Sequence, residues 1–429
     1  MEERILVIEN GTVIDGTGKS AERKERVVVK GTRIVFVGSG IEIPSGAEII
    51  DARGKTVMPG LMDCHVHLGV VEPRYDPFNP TYSNWLMALT RAPPALRVLY
   101  AVKQAYDTLA AGFTTVRHGG HYLSPPDVVS LKRGIELGLV RGPRVIAGNI
   151  ITATAGLFDI VYPSTWRRGP DGVERTYAIA DGTWEVRKKV RELVRDGTDI
   201  VKTAVGGGAV VEPEQEAWRN YTLDELEAIV DEAHAFGKKV MCHCFGPPGT
   251  KNAIRAGVDT LEHGKMLDDE DIQNMLKRKI ILVPTFSPYS PRNIETNRRA
   301  GLPEYFLEAL SSVTVTHRET FKKAHHAGVK IACGSDITGK YTPFHGENAG
   351  ELVDMVDNGM SEMEAIIAAT KNSAEACNVE KYVGTIEAGK LADILIVNGD
   401  PLSDIHILTD KEKIQVVMQS GKIAIDRRN

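Results

Sequence analysis

The segment Gly60-Leu-Met-Asp-Cys-His65-Val-His67 sets two imidazoles two residues apart. In a β-strand, residues i and i+2 face the same way, about 7 Å apart along the chain, so the pair offers two neutral ring nitrogens to a divalent transition metal. A metalloenzyme needs further ligands and a base, and the sequence offers candidates, each at the end of an apolar run. His243 ends Lys239-Val-Met-Cys-His, His263 ends Asp259-Thr-Leu-Glu-His, and Asp336 ends Ile331-Ala-Cys-Gly-Ser-Asp. Lys202 sits in Asp199-Ile-Val-Lys-Thr-Ala-Val-Gly, an apolar strand running into a glycine-rich turn. A buried ammonium without a partner is costly. Two chemistries answer that cost: an ion pair with a carboxylate, or reaction with carbon dioxide to a carbamate, an anionic oxygen ligand able to bridge two metals.

One histidine in a core is more often hydrogen-bonded than metal-bound, but the joint placement of these groups is hard to reach by chance. Six groups, His65, His67, Lys202, His243, His263 and Asp336, would hold two divalent ions sharing a bridging hydroxide. Coordination brings the pKa of water toward neutrality and polarises a substrate carbonyl. Asp336 is then the expected catalytic residue, taking the water's proton as general base and returning it to the leaving nitrogen as general acid. The reaction expected is hydrolysis of an amide-like C–N bond.

Those groups must be positioned by a fold, and the patterning suggests which. The chain has 429 residues, 42% hydrophobic and 25% charged, with a formal charge of −5. That size suits one large barrel plus a second unit. Interspersed acid and base give no sign of a nucleic-acid partner. The acidic, strand-like start is unlike a signal peptide, and no apolar run approaches the 18 or so residues of a membrane span. Five cysteines, odd in number and mostly in apolar strands, suit reduced thiols packed in a cytoplasmic protein.

Residues 1–58 read as short strands and turns. From Gly60 buried strands alternate with helices, with eight candidate strands at 61–67, 114–118, 144–152, 200–205, 239–244, 260–263, 280–286 and 330–336. Thr222-Leu-Asp-Glu225 and Ser361-Glu-Met-Glu364 are capping boxes that open helices, and Gly237 closes the first. After about Val383 the pattern returns to β. The expectation is therefore an α/β chain: a (β/α)8 TIM barrel over 59–383, with a small β-sandwich built from both chain ends, 1–58 and 384–429. The six groups then fall at the carboxyl ends of strands one, four, five, six and eight, where barrel active sites lie. Long connections at 69–97, 155–183, 206–220 and 287–303 read as lids or binding loops, and Tyr82, Trp85, Phe158, Tyr162 and Trp166 as an apolar pocket wall.

Over nearly its full length the chain resembles the amidohydrolase superfamily, and within it the imidazolonepropionase-like group that includes metal-dependent Xaa-Pro and Xaa-Arg dipeptidases. The resemblance runs from Gly11-Thr-Val-Ile-Asp-Gly-Thr-Gly18 to Gly389-Lys-Leu-Ala-Asp393. Its markers are Pro59-Gly-Leu-Met-Asp-Cys-His-Val-His67, Val201-Lys-Thr203, Glu262-His-Gly264, Gly334-Ser-Asp336 and His345-Gly-Glu-Asn-Ala349. The resemblance implies His65, His67 and Asp336 on one metal, His243 and His263 on the other, and a carboxylated Lys202 bridging them. It implies zinc by default, with manganese, cobalt or iron fitting the same donors, and a homo-oligomer acting on a small molecule, with no membrane partner.

Some positions depart from the pattern. Many relatives end the second strand in Arg-Asp, whereas this chain has Arg117-His118-Gly-Gly-His121. His118 and His121 are read as substrate contacts or packing residues. Tyr221 aligns loosely with a substrate-contacting tyrosine, and His345 is placed near the substrate or as a helix cap. A mononuclear deaminase or a cyclic-amide hydrolase is the competing reading. Cytosine-type deaminases often carry a glutamate three residues after the strand-five histidine, a position held here by Gly246. A non-catalytic scaffold is the remote third, since such relatives lose ligands and all six are present.

Overall fold

The computed structural model describes residues 4–23, 25–72, 92–160, 177–207, 218–339 and 342–428. The side chains of Tyr82, Trp85, Phe158, Tyr162 and Trp166 lie outside that description. The chain is α/β, and its central strands pair in parallel. Leu61–Val66, Phe113–His118 and Arg144–Ile146 form one three-stranded sheet. A six-stranded parallel sheet runs Tyr177–Ile179, Gly148–Thr152, Ile200–Ala204, Lys239–Cys244, Thr260–His263, Ile281–Val283. Every residue of Leu61–Val66, Phe113–His118, Ile200–Ala204 and Thr260–His263 is buried, as expected of parallel strands covered on both faces.

Two expected strands form differently. The stretch 144–152 breaks at Ala147, whose N–H donates to the Asp199 carboxylate at 2.9 Å and whose carbonyl accepts from Asp199 N at 2.8 Å. Its first half therefore pairs with Phe113–His118 and its second with Ile200–Ala204. The stretch 330–336 makes only isolated bridges among the described residues, Leu282 with Ile331 and Val66 with Ile337. Cys333 N donates to Ala368 O at 3.1 Å, and Ser335 N to the Asp63 carboxylate at 3.0 Å. Those bonds take donors that a ladder would use. Single bonds still tie the stretch to its flank, with Cys64 N to Cys333 O at 2.8 Å and Asp336 N to His65 O at 2.7 Å.

The chain ends meet in a second six-stranded sheet, in the order Lys422–Asp426, Ile414–Gln419, Ile394–Val397, Thr56–Pro59, Thr12–Val13, Glu22–Arg23. A four-stranded sheet runs Arg33–Gly38, Arg26–Lys30, Ile5–Glu9, Glu48–Asp51. One buried apolar cluster, including Leu6, Ile8, Val27, Ile50, Ile394 and Met418, draws on both sheets. Arg144 reaches across to Asp393 at 2.7 Å and joins the parallel strands to the C-terminal segment.

Both capping boxes form: Thr222 N donates to Glu225 at 2.8 Å, and Ser361 N to Glu364 at 2.8 Å. Gly237, at φ 66°, follows the helix Leu223–Ala235 in the left-handed conformation that suits glycine. All five cysteines are free and buried. No helix among the described residues is long and apolar enough to cross a membrane.

Candidate metal centre

Alternation along Leu61–Val66 and the residue that follows carries His65 and His67 to one side, and the chain turns at Asp336 to meet them. His65 Nδ1 bonds a Glu262 carboxylate oxygen at 2.7 Å, and His67 Nδ1 bonds Gly120 O at 2.8 Å. Both partners are acceptors, so each ring carries its proton on Nδ1 and turns the Nε2 lone pair inward. His67 Nε2 lies 3.1 Å, and His65 Nε2 3.6 Å, from Asp336 Oδ1. Acceptors thus face a carboxylate, an arrangement that a cation between them satisfies. The candidate ligand atoms of His65, His67 and Asp336 all lie within 4.8 Å of one another. Asp336 holds a left-handed φ of 50°, which costs a non-glycine residue about 1 kcal/mol and which its Asp336 N to His65 O bond helps to hold.

Next to this triad stand the other three candidates. The His263 ring is 5.1 Å from that of His65 and 4.4 Å from that of His243. His243 Nε2 bonds Gly207 O at 2.8 Å, which puts its proton on Nε2 and leaves Nδ1 as the lone-pair nitrogen. His263 Nδ1 bonds Thr285 Oγ1 at 2.7 Å, and its backbone sits at φ 70° with its carbonyl held by His317 Nε2 at 2.9 Å. Lys202 is 1% exposed, and its Nζ lies 3.4 Å from His65 Nε2. Burial lowers the Lys202 ammonium, favouring the neutral amine that can react with carbon dioxide. Burial, then Lys202, holds His65 well below the usual imidazole range. Burial, then Lys202, takes His243 down to about 3. Burial, then His243, depresses His263. Neutral imidazoles are the form that binds metal.

The remaining expected contacts divide. His118 is fully buried; its Nδ1 accepts from Leu68 N at 3.2 Å and its Nε2 has no partner among the described residues. Its ring stands 6.3 Å from that of His67, edge on. His121, at φ 86°, packs against Tyr122, whose ring is 5.6 Å from that of His67. His118 therefore borders His67 directly, and His121 is linked to it through Tyr122. His345 is buried behind the first strand, its Nε2 on His67 O at 3.1 Å and its Nδ1 facing Thr108 Oγ1 at 3.4 Å. Here it supports the backbone of His67, a candidate ligand, and it does not cap the helix Gly350–Asp357. Tyr221 is fully buried in the main core and donates to Ala180 O at 3.1 Å. Its hydroxyl is spent on structure.

Several residues important to this geometry were not singled out from the sequence. Asp63, fully buried, accepts from His65 N and Ser335 N at 3.0 Å each, from Asn348 Nδ2 at 2.8 Å and from Ser335 Oγ, tying the two ligand-bearing segments together. Arg117, also fully buried, donates to Glu262 Oε1 at 2.8 Å, to Thr260 Oγ1 at 3.1 Å and to Cys64 O. Gly119 is required by close approach: a Cβ there would sit 3.0 Å from His67 Cε1 and 3.1 Å from His65 Nε2. Acidic and basic residues inside apolar strands were the available signal, because a buried charge demands a partner.

The geometry can be set beside known proteins. Residues 56–424 match the model of the amidohydrolase family. Ochratoxinase of Aspergillus niger is 28% identical over 98% of this chain and 87% of its own. An imidazolonepropionase of Geobacillus sp. is 25% identical over 98% of this chain and 91% of its own. A solved Xaa-Pro dipeptidase with methionine bound in its active site is 32% identical, covers 98% of this chain and 100% of its own, and superposes with a TM-score of 0.83. The chain therefore belongs to the amidohydrolase family, in its imidazolonepropionase and prolidase-like group, and is a metal-dependent hydrolase.

Proposed function

We propose that the chain hydrolyses an amide-type C–N bond of a small molecule (a dipeptide, N-acyl amino acid, aryl amide, carbamate or urea) at a site for two divalent metal ions. The observation that carries this reading is the pairing of lone-pair donors with a carboxylate, His67 Nε2 and Asp336 Oδ1 at 3.1 Å, with the neutral His65, His243 and His263 and the buried Lys202 alongside. Bound divalent metals would bring water's pKa toward neutrality and polarise the scissile carbonyl.

The chain's own groups do the rest. His65, His67 and Asp336 would hold one ion, and His243 and His263 the other. Lys202 would supply a carboxylate shared by both: its neutral Nζ would add to the carbon of carbon dioxide, an N–C bond replacing one C–O π bond and the N–H proton passing to water. Asp336 takes the proton of the attacking water and passes it to the nitrogen of the departing amine. His118, beside His67, and His121, on the far side of Tyr122, are the substrate contacts this reading favours. Zinc is the metal expected, with manganese, cobalt or iron as substitutes. The frame proposed is a (β/α)8 barrel over 59–383 with a β-sandwich composed of 1–58 and 384–429. Support comes from the parallel strands, the shared sheet of both chain ends and the likeness to the dipeptidase structure.

The test is a hydrolysis screen across those five substrate classes, with metal counted on the same sample. Two metals per chain and cleavage of at least one class are expected. Full activity at one metal per chain would remove the binuclear reading and favour a cyclic-amide hydrolase or deaminase, the alternative that the imidazolonepropionase relatives keep open.

A further inference from the structure

The four metal-facing histidines are held by different partners, and the difference has a direction. His67 and His243 lean on backbone carbonyls and His263 on a hydroxyl, all of them neutral. Among the described residues, His65 is the one of the four whose nitrogen turned away from the site bonds a carboxylate, Glu262, at 2.7 Å. That carboxylate is itself clamped by Arg117 Nη2 at 2.8 Å and by the Thr260 hydroxyl. Arg117 and Glu262 are both fully buried, so this is a charged pair shielded from water and salt. A carboxylate behind a ligating imidazole raises its basicity and locks its orientation, and losing such a partner typically costs 10–100-fold in metal affinity.

The second asymmetry is geometric. His65, His67 and Asp336 already bring three ligand atoms within 4.8 Å of one another, one of them a carboxylate. Among the described residues, the position facing His243 and His263 has two imidazoles and no carboxylate of its own, and on the binuclear reading its anion is the carboxylated Lys202.

We propose that Arg117 and Glu262 are positioning residues that make the His65–His67–Asp336 position the tighter of two unequal metal positions, filled first and without carbon dioxide. The Lys202–His243–His263 position fills second and depends on it. The inference rests on the binuclear reading above, and it adds the order of loading and the residues that set it.

The experiment titrates chelator-stripped full-length protein with zinc by calorimetry, in carbon-dioxide-free buffer and again with bicarbonate, and counts bound metal after desalting. Without carbon dioxide one tight zinc per chain is expected, and bicarbonate should add a second, weaker one. Glu262→Gln should weaken the first event 10–100-fold, while Thr285→Val, which removes the partner of His263, should weaken only the second. Because Glu262→Gln strands the Arg117 charge, the double variant Arg117→Met with Glu262→Gln serves as a control of unchanged volume, and thermal melts confirm folding. Two events of equal affinity, insensitive to bicarbonate, would overturn the proposal, as would a Glu262→Gln variant that weakens both equally. If no more than one zinc ever binds, even with bicarbonate, the binuclear reading itself fails.

Discussion

Replacing Lys202 with alanine separates its packing from its chemistry. The side chain is 1% exposed, so the change deletes three buried methylenes, a loss of about 2.4 kcal/mol at roughly 0.8 kcal/mol each. Opposing that loss, the amine's own burial is unfavourable, which is why its pKa is lowered. A net cost of about 1–2 kcal/mol leaves a chain of this size folded. Function should fall much further. On the proposed binuclear reading the variant lacks the anion that both metal positions would share, and the loss should exceed the roughly 100-fold upper figure for residues that merely support a ligand. The vacated space suits a short carboxylic acid, so acetate or propionate should restore part of the rate. The assays are turnover on the best substrate from the screen, metal counted per chain, a melting curve, and a carbamate carbon signal from wild-type protein given labelled bicarbonate. Unchanged turnover in the variant refutes the bridging role. So does a wild-type protein that binds two metals with no carbamate signal.

Asp336→Asn should keep most of its metal, because an amide oxygen can still coordinate, yet lose hydrolysis; wild-type rates there would remove Asp336 as the base. Arg144→Ala should destabilise the chain by roughly 3 kcal/mol, since it strands Asp393, whose side chain is 3% exposed, and the loss would appear as a lower melting temperature. Burial raises the Asp354 carboxyl to about 7. The unfolded chain ionises this group near 3.8, so between about 4 and 7 the folded state holds the extra proton and stability falls as pH rises. That window corresponds to about 4 kcal/mol at about 1.4 kcal/mol per pH unit. Asp354→Asn should therefore melt higher than wild type at pH 8 and nearly level with it at pH 4; an equal effect at both pH values would contradict this sign.

Strands were legible wherever one face or both carry an unbroken apolar run, because period and β-branching report burial directly. Lys239–Cys244 and Thr260–His263 therefore form over the expected residues. The expected strands failed to run through where side chains compete for backbone groups. Asp199 captures Ala147 N, and Asp63 captures Ser335 N, and neither diversion shows in a hydrophobic pattern. The same limit applies at the metal centre. Residue type and strand-end position were enough to gather six candidate ligands. The supports were not, because Arg117, Glu262 and Asp63 act through partners far away in sequence, such as the 145 residues separating Arg117 from Glu262. His345 shows the difference from the other side: its motif suggested substrate, yet its nitrogens face His67 O and Thr108 Oγ1. A buried polar residue in an apolar strand therefore announces only that a partner exists. Which partner it meets depends on the neighbouring strands, and at Glu262 that partner is a histidine whose other nitrogen faces the metal position.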